Sequence, residues 1–149
     1  MIGERQIKGA LALLIGCAII YAGDRLLGVQ LELWYGLDTF NFAWMLDMFV
    51  LPFVSGFAVA SIFGLGGKWL CYFPPLIVRL GSYFALQHAV LPPDAILQVM
   101  GYWAFFVILN MIAAAFGGVT GEIMVRGTYG RSAPEKIYKR RQEQDEGDS

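Results

Sequence analysis

Histidine occurs once in this chain and cysteine twice. Charge is scarce everywhere except near the ends. A single histidine, His88, leaves no second ligand at metal spacing. Cys17 and Cys71 have neither zinc-site nor redox-pair spacing, and one falls mid-helix while the other falls near the cytoplasmic face, which argues against a structural disulfide. No phosphate loop or nucleophile motif occurs. The sequence therefore carries no expectation of an enzyme, a cofactor or a metal. Charged residues are 15% of the chain, against about 25% in a soluble domain. Of 23 charged side chains, 15 lie in the first eight and last thirty residues, leaving eight among the 111 between. That distribution excludes a soluble enzyme, a disordered chain and a nucleic-acid binder working through a basic face. What is present is apolar: 57% hydrophobic residues and a mean hydropathy of +0.56. The expected class is an all-α integral membrane protein.

A helix crossing a hydrocarbon core of about 30 Å needs roughly 20 mostly apolar residues. Four segments meet that need, at about 9–27, 40–63, 72–91 and 96–119, and predict a four-helix bundle over residues 1–119. Gly64–Lys68 and Leu91–Asp94 supply turn chemistry between the later segments. The longer connection from Gly28 to Asp38 alternates apolar and polar residues before Trp34 and Tyr35, so it is expected to lie at the membrane surface. The first segment resembles a signal peptide in its basic start and apolar run. Tyr21, however, stands where a cleavage site ahead of Gly23 needs a small residue, so the segment is expected to remain as a membrane helix.

Arg5 and Lys8, Lys68, and six basic residues after the fourth segment all fall on one side of this scheme. The intervening loops carry Arg25 against Asp24, Glu32, Asp38 and Asp94. By the positive-inside rule both termini face the cytoplasm, as an even number of crossings requires. The expected location is the plasma membrane, which in a prokaryote is the inner membrane. Residues 120–149 form a basic, then acidic, cytoplasmic tail. Ser132–Glu135 has a capping-box pattern that predicts a short helix over 133–142, whose lysines and arginines suit anionic lipid.

Lipid is as apolar as leucine, so small residues that let backbones approach are expected to hold the bundle together. Gly56, Ala60 and Gly64 repeat at four-residue spacing in the second segment, as do Ala113, Gly117 and Gly121 in the fourth. Three ionisable residues fall inside the spans, where Asp or Arg costs at least about 2.5–3.5 kcal/mol at the centre. Asp47, Arg79 and His88 are thus the candidate polar site. If the third helix starts at Pro74 on the cytoplasmic side, Arg79 lies near enough to that face to reach headgroups. Asp47 is deeper and shorter, and depth matches it with His88 in a pH-sensitive pair. Nine residues separate Arg79 from His88, so they face opposite ways and only one of them can meet Asp47.

Two function classes follow. One is a non-catalytic accessory or structural subunit of a membrane complex, such as a transport system, docking on other subunits or on itself. The other is a small oligomeric channel or transporter using Asp47 with His88 or Arg79 for a proton, an ion or an anionic solute. The lack of a continuous polar route through the bilayer favours the first.

Overall fold

The computed structural model describes residues 3–130, 141–144 and 146–147. Most of the expected tail helix at 133–142 lies outside them. Helix α1 spans Glu4–Leu27 and stops at Gly28, whose φ of 64° closes the helix in the left-handed region that glycine adopts without strain. The second passage is a composite: α2 over Phe42–Met45, one π-helical turn over Leu46–Val50, and α3 over Leu51–Phe63. A single turn, α4 (Gly67–Leu70), leads into α5 (Phe73–Gln87), and α6 covers Met100–Gly130. Two short strands, β1 (Leu33–Trp34) and β2 (Ile96–Leu97), pair antiparallel and tie the two long loops together.

Three helices are long and apolar enough to cross a membrane: Glu4–Leu27, Phe42–Phe63 and Met100–Gly127. The third expected span is a shorter helix. The 15 residues of α5 rise only about 22 Å, less than a hydrocarbon core. The distribution of polarity supports a membrane location. Arg79, Asp47, Asn110 and Ser55 are fully buried, while Leu14, Phe42 and Phe116 are each more than 60% exposed. A water-soluble fold has the reverse arrangement.

Glycines set how the helices meet. Gly9, Gly16 and Gly23 recur every seven residues on one buried face of α1. They lie against Phe63, Val59 and Leu51 in turn, so α3 runs antiparallel along that face. Ser55 adds a hydroxyl bond to the Gly16 carbonyl at 3.0 Å. Helices α3 and α6 run parallel and cross closely, with Gly56 against the Ala114 backbone and Gly117 against the Phe53 carbonyl. Gly121 lies against Phe57 and Ala60 of the same helix. Gly64 has a different task from the packing role its spacing suggests. It ends α3 with φ +83° and has open space where a Cβ would stand. Ala113 is half-buried, and the buried alanine of α6 at this crossing is Ala114.

The π-helical turn has a definite cause. Proline has no N–H, so Pro52 leaves the Met48 carbonyl without its helical partner. Leu51 bonds back to Leu46, which leaves the Asp47 carbonyl free as well. Asn110 of α6 donates its side-chain amide to both, at 3.0 Å to Met48 and 3.4 Å to Asp47. The bend that a proline forces is thus capped from a neighbouring helix.

Part of the connection from Gly28 to Asp38 folds onto the bundle. Leu31, Glu32 and Leu33 are all buried, while Tyr35 and Leu37 stay exposed. Leu31 packs on Trp44 and Met48, and Gln98 donates its backbone N–H to the Glu32 carbonyl at 3.0 Å. The alternating stretch thus leads into the short paired strand β1.

Candidate functional site

Arg79 is the largest fully buried side chain in the described structure. Its guanidinium fork meets Asp24 of α1 with both terminal nitrogens, Nη1 to Oδ2 at 2.9 Å and Nη2 to Oδ1 at 3.0 Å. Nη2 also reaches both oxygens of Asp47 at 3.3 Å. Glu32, from the loop between them, brings Oε1 to 3.7 Å from Nη1. Three carboxylates from three separate stretches of chain therefore surround one guanidinium. Two-pronged Arg–carboxylate contacts are the strongest of the ordinary ion pairs, which suits a guanidinium withdrawn from water.

The path of the chain before α5 explains how Arg79 comes to lie there. Gly67 packs on Ala60, and Cys71 donates its thiol to the Gly56 carbonyl at 3.2 Å. The segment from Gly67 therefore climbs beside α3. By Pro74 it has reached the level of Gly16, twelve residues or about 18 Å along α1. Helix α5 thus begins inside the bundle and not at its rim. Arg79 cannot reach the headgroups at the end where the chain begins, and its fork points instead toward Asp24 near the opposite end of α1. The expected headgroup contact of Arg79 is corrected accordingly.

The expected Asp47–His88 pair is corrected too. Asp47 is taken by Arg79, and His88 stands exposed just past the end of α5, where its backbone N–H bonds back to Ala85. The phase rule holds: with Arg79 turned toward Asp47, His88 faces away. Replacing His88 with alanine is expected to change stability by no more than about 0.5 kcal/mol in a detergent unfolding assay, because no buried contact is removed.

Two members of the cluster escape a reading by sequence. Asp24 and Glu32 pass for loop acids that help set topology, since one ends a span and the other lies outside every span. A signal was available. An arginine in a helix needs a countercharge, and Asp24, Glu32, Asp38, Asp47 and Asp94 are the only carboxylates between residues 9 and 119. Around the cluster, Tyr83, one turn beyond Arg79 on α5, donates its hydroxyl to the Gln98 carbonyl at 3.2 Å. Its ring stacks at a tilt on Trp103, 4.6 Å between centroids.

Burial seals the site. Arg79 and Asp47 are fully buried, Glu32 is 1% exposed, and the side chain of Asp24 is 13% exposed. The four cavities described in the molecule are lined by other residues. A large one lies at the terminal end beside Arg5, Phe63 and Arg126, and an aromatic one of about 420 Å³ lies between Trp34, Phe40, Tyr102 and Phe106. Burial pushes the Glu32 carboxyl above the ordinary glutamate range, and the positive charge of Arg79 offsets that push only in part. Chemically, the arrangement can lock three chain segments together and can exchange a proton. Compared with known proteins, the chain matches no family model, no curated protein and no solved structure.

Proposed function

We propose that this protein is a multi-pass membrane protein acting as a non-catalytic accessory or structural subunit of a membrane complex. The single observation that carries the reading is the sealed ion cluster. Arg79, Asp24, Glu32 and Asp47 face one another, and none of the four lines a described cavity. The outer faces of α1 and α6, with Leu14, Ile108 and Phe116 exposed, are suited to lipid or to a partner's apolar helices.

In the same proposal the chain crosses four times. Residues from Gly67 to Gln87 run in one direction as α4, a short break and α5, and 21 residues of helical rise cover about 31 Å. Helix α1 begins at the end where α6 finishes, as the cavity shared by Arg5 and Arg126 requires. Together with the basic residues at that end, this supports both termini in the cytoplasm and a plasma-membrane location. The basic tail would then lie against anionic lipid.

The test is isolation of the tagged full chain from its native membranes in mild detergent, followed by identification of what travels with it. A stoichiometric set of other membrane subunits is the expected result. Recovery as a partner-free homo-oligomer would overturn the reading. So would solute uptake by proteoliposomes of the purified protein that is lost in Asp47→Asn, since that favours a channel or transporter.

A further inference from the structure

The Arg79 cluster does not balance its charge. One guanidinium stands among three carboxylates within 4 Å, all largely withdrawn from solvent. Full ionisation would leave two uncompensated negative charges in a low-dielectric interior, where each costs far more than it does in water. One atom marks the imbalance: Glu32 Oε1 is buried without a hydrogen-bond partner. Among the described residues, neighbouring elements supply no second cation. Helix α1 presents Asp24, the π-helical turn presents Asp47, and α5 presents Arg79 itself. Gln98 from the ladder and Asn110 from α6 are neutral. Arg25 is exposed and lies over the Tyr21 ring, and Asp38, His88 and Asp94 are exposed on the loops. Among the described residues no group of three or more His, Cys, Asp or Glu side chains is spaced to hold a metal ion.

We propose that the Asp24–Glu32–Asp47 trio binds one exchangeable proton at neutral pH, and that this proton pins the Glu32 segment to α5. A protonated carboxyl removes one buried negative charge and turns an acceptor into a donor. Losing the proton sets Glu32 against Asp24 and Asp47 with a single guanidinium to hold all three. The turn that carries Glu32 leads into β1 and is tied to the loop before α6 through Gln98 and the paired strands, so the cluster's proton state is felt across the whole loop end.

The sign of the pH dependence follows. Glu32 is raised on folding, so its contribution is fully present below the unfolded glutamate value and lost as pH climbs through the folded one. If the trio holds its proton at neutral pH as proposed, unfolding there releases it. The experiment uses the full chain in liposomes, titrated between about pH 5 and 9 and followed by infrared difference spectroscopy for the carbonyl band of a protonated carboxyl. Wild type should show such a band at neutral pH, and Asp24→Asn, Glu32→Gln or Asp47→Asn should remove or displace it. Unfolding in an unbuffered medium at neutral pH should release about one proton per chain, less in Glu32→Gln. Because Glu32 lies outside the long helices, this variant keeps the test decisive if either aspartate variant fails to fold. Absence of the band from folded wild type, or its persistence in all three variants, would overturn the proposal. Heat stability that rises with sodium chloride but not with an organic-cation chloride would also overturn it, by placing a sodium ion where the proton is assigned.

Discussion

Replacement of Arg79 by methionine should be the most damaging single change in the molecule. Methionine matches the length of the buried stem and leaves Asp24, Glu32 and Asp47 facing one another without a cation. Removing one partner of a buried ion pair typically costs about 3–5 kcal/mol, and here the one residue removed serves three partners. Unfolding in detergent, followed by helical circular dichroism, should show the variant either failing to accumulate or melting far below wild type. Arg79→Lys should fall between them, since an ammonium keeps the charge but cannot make the forked contact with Asp24. The decisive comparison adds Asp24→Asn and Asp47→Asn to Arg79→Met, which removes two of the three stranded charges and should recover much of the loss. An Arg79→Met protein as stable as wild type would show that the cluster holds nothing together.

Alanine at Gly56 or Gly117 should be nearly as harmful, for a reason that has nothing to do with charge. A Cβ at Gly56 would run into the Ala114 carbonyl, and one at Gly117 into the Phe53 carbonyl. In both cases the obstacle is backbone and cannot rotate aside as a side chain can. The native arrangement places a glycine Cα–H against each carbonyl, a weak attraction that close helix crossings repeat. Forcing the helices apart should cost about 1–3 kcal/mol for either substitution. The two positions share one crossing, so the double variant should cost less than the sum. Gly81→Ala on α5 meets open space and should stay within about 0.5 kcal/mol of wild type. Equal melting of all three single variants would refute the assignment of the α3–α6 crossing as a backbone contact.

Much of the architecture is legible in the residues, because solvation is additive along a chain. A mostly apolar segment as long as the one at 9–27 needs no tertiary information to mark a helix of membrane-crossing length. Gly56, Gly117 and Gly121 likewise announce a close crossing by spacing alone. Even the sevenfold recurrence of Gly9, Gly16 and Gly23 was there to be read, although the eye goes first to the four-residue repeats. The site was read less well. Asp47 and Arg79 stand out as charges within spans, yet pairing each by depth gave the wrong partners, because depth was counted from an assumed helix start. The turn at Gly64 and the climb past Ala60 and Gly56 carry the start of α5 into the bundle, to the level of Gly16. That shift lifts Arg79 away from one set of headgroups and toward Asp24.

By itself the sequence determined that the chain holds helices long and apolar enough to cross a membrane, that these lie where the apolar runs are, and which few residues carry charge between the chain's ends. Those properties depend on each residue's own transfer free energy and on short-range periodicity. Only the tertiary structure decided who pairs with whom: that Asn110 caps the carbonyls freed by Pro52, and that Glu32 folds inward from a loop. It likewise decided that one arginine answers three acids. Electrostatic partners are chosen by distance across elements, and a residue 55 positions away in sequence can be 2.9 Å away in space.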